Sequence, residues 1–137
     1  MRAVLDANVI IAAMLSGSGS PAEILRACNR GEFELLVSEA LLDELARALA
    51  YPKLRRRVSI AEADAAVRWV RGSATIVSDA PSPPPIRSED PGDDYLIALA
   101  SSERAALVSG DKHLLSLASE LPIFSPADFL RLLEDRR

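Results

Sequence analysis

Acidic residues in this chain stand at the ends of short apolar runs. Asp6 closes Ala3-Val4-Leu5, and Asp111 follows Ala106-Leu107-Val108 by way of Ser109 and Gly110. Asp94 opens the run Tyr95-Leu96-Ile97-Ala98-Leu99-Ala100, and Glu44 lies within Leu41–Leu49. Carboxylates gathered at strand ends repel one another and are costly to keep ionised together. A hard divalent cation relieves that cost, and with it comes metal-assisted chemistry.

Strands and helices must alternate to put these acids together. Ala3–Leu5 reads as a buried strand, followed by a helix over Asn8–Leu15. Ser20-Pro21-Ala22-Glu23 predicts an N-cap, a proline at the first helical position and a capping-box Glu, with the helix ending at Gly31. Glu34–Val37 is strand-like. Ser38 caps a helix that runs to about Ala50, where Tyr51-Pro52 breaks it. Ser59-Ile60-Ala61-Glu62 is a second capping box, for a helix to Arg71, and Ala74–Val77 reads as a third strand. The proline-rich stretch Ser78–Glu89 is an extended loop. A helix from Pro91 to about Arg104, a strand at Ala106–Ser109, a helix at Lys112–Ser119, a strand at Ile123–Phe124 and a helix capped by Ser125-Pro126 complete the chain.

This alternation indicates an α/β fold with a parallel sheet covered on both faces. In a doubly wound sheet of order 3-2-1-4-5 the first and fourth strands are neighbours, so Asp6 and Asp111 meet at the switch point where such folds bind ligands. No repeat or second composition regime interrupts residues 1–137, and one domain is expected.

Each acid has a structural alternative. Asp6 or Asn8 could cap the next helix, but that helix continues with the apolar Val9-Ile10-Ile11, and a buried Asp needs a partner. Asp90 is the natural N-cap before Pro91, and Asp93 favours the helix dipole. Asp94 shares the stripe of Ile97 and Ala98, which points it along the core-facing side and favours a ligand role. On the helix after Ser38, Asp43 falls on the solvated side. Glu39 and Glu44 flank the apolar arc, and periodicity does not choose between them. Asp111 could cap Lys112–Ser119, while Ser109 supplies a hydroxyl able to orient a carboxylate or water. His113 is expected on a surface or helix face.

Bulk properties narrow the classes. Hydrophobic residues make up 49% of the 137, enough for a packed core. The 16 Lys and Arg against 20 Asp and Glu give a net charge of −4, which argues against binding long duplexes through a uniformly basic surface. A local basic patch such as Lys53, Arg55, Arg56 and Arg57 is compatible with it. The single Cys28 reads as a small core hydrophobe, and one Cys with one His cannot build a structural zinc site. Arg2 before the apolar run Val9–Leu15 superficially suits a leader peptide, but Asp6 and Asn8 do not. No run reaches the length of a membrane span. The cytoplasm is the expected compartment.

Taken in order, Leu5-Asp6-Ala7-Asn8, Ser38 with Glu44 and Leu45, Glu89-Asp90-Pro91-Gly92-Asp93-Asp94-Tyr95-Leu96-Ile97-Ala98, Ser109-Gly110-Asp111-Lys112-His113-Leu114-Leu115 and Ile123-Phe124-Ser125-Pro126-Ala127-Asp128-Phe129-Leu130 resemble a PIN-domain protein of the VapC-like toxin branch. Each motif is weak alone; their order and spacing over nearly the whole chain are specific. The resemblance implies a three-layer αβα sandwich and a Mg2+- or Mn2+-dependent endoribonuclease acting on single-stranded RNA. The family's acids carry over onto Asp6, Glu44, Asp94 and Asp111, which selects Glu44 over Glu39. Asn8, Ser109, Asp90 and Asp93 become supports. Oxygen-only ligands agree with Mg2+ or Mn2+. Lys112 and the Lys53–Arg57 cluster become candidates for holding RNA phosphates. A protein antitoxin and a homodimer are implied partners, and the Ala-, Leu- and Val-rich helices at Pro21–Arg30 and Ser59–Arg71 suit such contacts.

Three other readings compete. A haloacid-dehalogenase-like phosphatase needs a second Asp where Asn8 stands. A response-regulator receiver would place its acceptor Asp after the third strand, where Asp79 runs into the proline-rich loop. A non-catalytic PIN-like module that binds RNA or protein would keep the fold and lose the metal dependence.

Overall fold

The computed structural model describes residues 1–81 and 83–137. Five parallel strands lie in the order 3-2-1-4-5 expected above. They are β1 (Arg2–Leu5), β2 (Glu34–Val37), β3 (Thr75–Ile76), β4 (Ala106–Val108) and β5 (Ile123–Phe124). The central strand β1 is fully buried over Ala3, Val4 and Leu5, as a parallel strand covered on both faces must be.

The helices are α1 (Ala7–Leu15), α2 (Ser20–Asn29), α3 (Glu39–Leu49), α4 (Pro52–Arg55), α5 (Ile60–Ser73), α6 (Asp94–Ser102), α7 (Lys112–Leu115) and α8 (Pro126–Asp135). A 3-10 turn, Pro91–Asp93, leads directly into α6. Among the described residues no helix is long and apolar enough to cross a membrane.

Local chemistry explains most boundaries. Ser59 and Glu62 form the reciprocal capping box of α5, with both bonds at 3.0 Å. Ser38, fully buried, caps α3 by accepting from the Leu41 N–H. The second helix departs from expectation. Its cap is Gly19, at φ +96°, so Ser20 is already helical and offers no side-chain cap. A glycine reaches that left-handed conformation without steric cost and here replaces the hydroxyl. The break at Tyr51-Pro52 is followed by the short extra helix α4, with Pro52 at its first turn. The strand read at Ala74–Val77 shortens to β3, because Ala74 still closes α5 through its N–H to Val70. The helix read at Lys112–Ser119 keeps α-helical form only to Leu115.

The register sets up the site. Leu5 of β1 lies opposite Val108 of β4, so the residues that follow, Asp6 and Ser109, emerge side by side at the carboxyl edge of the sheet. The Asp6 N–H extends the ladder by donating to the Val108 carbonyl at 2.9 Å.

Candidate active site

Where β1 ends, Asp6 is 7% exposed and Ser109 is fully buried. The Ser109 hydroxyl donates to Asp6 Oδ2 at 2.7 Å, a short bond of the charge-assisted kind. Asp6 Oδ1 meanwhile accepts a longer 3.4 Å bond from the Asn8 N–H, so this residue caps α1 and also faces the carboxyl edge of the sheet. Burial pushes its carboxyl above the usual range, Ser109 and Asn8 pull it back, and Asp111 pushes it up again.

A cleft of about 190 Å³ opens over this edge, lined by Asp6, Asn8, Glu44, Asp90, Asp93, Tyr95 and Asp111 among others. Four elements supply the acids. Glu44 comes from the middle of α3, and its partner at 3.2 Å is Arg47. Asp90 accepts from the Gly92 N–H at 3.0 Å and so fixes the 3-10 turn that presents Asp93. Asp111 Oδ1 caps α7 by accepting from the His113 N–H at 2.7 Å. His113 in turn pairs with Glu89 at 3.3 Å on the surface.

Asp93 is the most perturbed of these acids. Burial, then the charges of Asp111, Asp90 and Asp6, raise its carboxyl to about 6. Its Oδ2 is buried without a hydrogen-bond partner among the described residues. A buried carboxylate oxygen left unpaired is expensive, and its usual resolution is a proton, a water or a cation.

Asp94, the ligand favoured from the sequence, does not line this cleft. Its Oδ1 accepts the Ser88 N–H at 3.0 Å and ties down the end of the proline-rich loop. The neighbouring Asp93 stands in the cleft instead. Spacing could not separate the two, because Asp93 shares a helical stripe with Leu96 and Ile97 as well as Asp94 does with Ile97 and Ala98. The 3-10 turn before α6 decides which carboxylate faces the other acids.

Glu39 and Glu44 also part company. Glu39 makes a two-pronged pair with Arg71 of α5, at 2.8 and 3.1 Å, out in solvent. Glu44 lines the cleft. Lys53 and Arg55 on α4, and Arg56 and Arg57 just after it, are exposed beyond the far end of α3. From Glu44 to Leu49 alone α3 advances roughly 8 Å. Lys112 is next to the cleft in sequence but is not part of its lining. Two lining or rim residues were missed at the sequence level. Arg47 is signalled only by its i,i+3 spacing from Glu44, and Tyr95 by being an aromatic directly after a run of acids.

The donor set suits a hard cation, because the acids that line the cleft bring oxygen and no sulfur or imidazole. Among the described residues no three Asp, Glu, His or Cys side chains already converge as a closed cage requires. The acids line an open cleft, which suits an ion such as Mg2+ that keeps several waters and takes one or two carboxylates. A separate cavity of about 270 Å³ between α6, β4 and Pro122 contains no acid in its lining and offers none of this chemistry.

A family profile described as PIN domain matches residues 2–113, which includes every acid in the cleft. The chain belongs to the PIN-domain family. An uncharacterized protein, MJ1680 of Methanocaldococcus jannaschii, is 26% identical over 120 residues, covering 88% of this chain and 77% of that protein. Among solved structures, PAE2754 from Pyrobaculum aerophilum superposes with a TM-score of 0.66 at 21% identity, over 98% of this chain and 90% of that one. VapBC2 from Rickettsia felis, bound to a DNA fragment from its promoter, gives 0.61 at 13% identity over 91% and 97%. At such identities the two structures speak for the PIN fold.

Proposed function

We propose that this PIN-domain protein is a Mg2+- or Mn2+-dependent endoribonuclease that hydrolyses single-stranded RNA, and that it is the toxin of a toxin–antitoxin module with a protein antitoxin as partner. The observation that carries the reading is the unpaired, buried Oδ2 of Asp93 in a cleft shared with Asp6, Glu44 and Asp111. Membership of the PIN family, whose members are generally nucleases, supports the hydrolytic assignment. The fold shared with the VapBC2 pair supports the toxin assignment and the antitoxin.

When bound, Mg2+ or Mn2+ would supply activation of water and neutralisation of phosphate charge. Asp6 and Asp93 would hold it, with Glu44 and Asp111 completing the acid ring. The Ser109 hydroxyl and Asn8 N–H keep the Asp6 carboxylate in one orientation, so it need not be reorganised during the reaction. Asp111 is anchored through Oδ1, which accepts the His113 N–H. Water attacks phosphorus and gives up a proton, the ester P–O bond breaks, and the departing oxygen takes up a proton from solvent to leave as an alcohol beside a phosphate monoester.

An RNA strand crossing an acidic cleft needs cations outside it. Arg47 at the rim and Lys112 beside Asp111 are nearer than the α4 cluster, whose role would be to hold more distant phosphates. We expect the purified protein to cut single-stranded RNA in millimolar Mg2+ or Mn2+ and to stop in excess EDTA, read by gel electrophoresis of a labelled transcript. Cleavage undiminished by EDTA would contradict the metal mechanism. RNA binding without cleavage in either metal would favour the non-catalytic module.

A further inference from the structure

Six aromatic residues occur in the chain, and one of them, Tyr95, lines the acidic cleft. It is the second residue of α6, directly after Asp93 and Asp94, and its side chain is partly buried against the core while also lining the cleft. Asp6, Glu44 and Asp93 all bear on that phenol electrostatically, as does Asp79, whose carboxylate accepts the Ala40 N–H at the start of α3. The hydroxyl makes no hydrogen bond to any described residue, and the cleft it shares is lined by Asp6, Glu44, Asp90, Asp93 and Asp111.

A phosphodiester entering this cleft meets carboxylates on most sides. Donors among the lining side chains are few: the amide of Asn8 and the phenol of Tyr95. A phenol in this position is a neutral donor at neutral pH. It lowers the cost of bringing an anion past the acids without itself competing for the cation. Its ring, packed against the core, also fixes the hydroxyl's position at little entropic cost.

We propose that the Tyr95 hydroxyl donates a hydrogen bond to a non-bridging oxygen of the phosphodiester held in the cleft, which makes it a substrate-binding group of this site. The assignment rests on the nuclease reading above. It concerns recognition of the phosphate and not of a base, so it predicts no preference among nucleotides.

The test uses the full chain and its Tyr95→Phe and Tyr95→Leu variants. Affinity for a fluorescein-labelled, random-sequence 12-nucleotide RNA is measured by anisotropy in Ca2+, and cleavage of the same RNA in Mn2+. A hydrogen bond to a charged acceptor predicts that Tyr95→Phe weakens binding or kcat/KM by roughly tenfold or more. Tyr95→Leu should lose no less, and Tyr95→Phe should keep the wild-type melting temperature and Mn2+ affinity. Wild-type behaviour of Tyr95→Phe overturns the proposal while leaving the nuclease reading intact. A loss confined to Tyr95→Leu overturns it in favour of ring packing or stacking. If wild type neither binds nor cuts the RNA, the nuclease reading falls, and the phosphate contact with it.

Discussion

Asp93→Asn is expected to lower metal-dependent RNA cleavage by at least about a hundredfold, whereas Asp94→Asn should leave it within a few-fold of wild type. Loss of a residue that merely orients a metal ligand typically costs 10–100-fold, and a carboxylate that itself faces the ion should exceed that. Asp93 stands in the cleft with an unpaired buried oxygen. Asp94 spends its Oδ1 on the Ser88 N–H, and asparagine keeps an oxygen able to accept that bond. Asp6→Asn and Glu44→Gln should fall with Asp93→Asn. Glu39→Gln should fall with Asp94→Asn, because Glu39 is paired with Arg71 in solvent. Single-turnover cleavage of one RNA by the five variants gives the ranking. The reverse order for the two neighbouring aspartates would return the site to Asp94.

The second large effect is on stability in EDTA. A carboxyl raised in the folded protein binds protons more tightly there than in the unfolded chain, so folding is favoured at low pH and the advantage fades as pH rises. For Asp93, at about 6 against an ordinary 3.8, that advantage is complete below about pH 4 and is lost as pH climbs through about 6. Asp6 shifts in the same direction, through burial before any other cause. Half-buried Glu32 and exposed Glu39 and Glu62 are shifted the other way by their hydrogen bonds, and their contribution is lost only as pH falls below the usual carboxylate range. The two groups therefore act in different windows. Asp93→Asn should leave stability at pH 4 nearly unchanged and raise it at pH 7. Because Asp93 is partly exposed, solvent screening holds that gain to on the order of 1 kcal/mol. Urea denaturation of both proteins at several pH values checks this. A variant less stable than wild type at pH 7 would show that Asp93 is held by favourable contacts and not by repulsion.

Much of the architecture could be read from the sequence because its signals were local and redundant. The buried run Ala3–Leu5, the Ser59-to-Glu62 capping box and the strand–helix alternation each imply the same layered sheet. With the order 3-2-1-4-5 in hand, the meeting of Asp6 with Ser109 and Asp111 followed from which strands are neighbours. What could not be read depends on a single backbone turn. Whether Asp93 or Asp94 faces the cleft is fixed by the 3-10 geometry of Pro91–Asp93, to which side-chain periodicity is blind. Gly19 as the cap of α2 was hidden behind a well-formed Ser-Pro-x-Glu pattern one residue later. Arg47 and Tyr95 became visible only when tertiary contacts brought α3 and α6 to the same edge of the sheet.

The central claim is that these acids form one divalent-cation site, and calorimetric titration with Mn2+ at neutral pH tests it most directly. The wild-type protein should take up Mn2+ at submillimolar concentration, and at a hundredfold excess over the dissociation constant the ion should add about 2.7 kcal/mol to its stability. The Asp6→Asn, Asp93→Asn double variant should show neither effect while remaining folded. Wild-type protein that takes up no Mn2+ at millimolar levels, or a double variant that binds it equally well, would contradict the account.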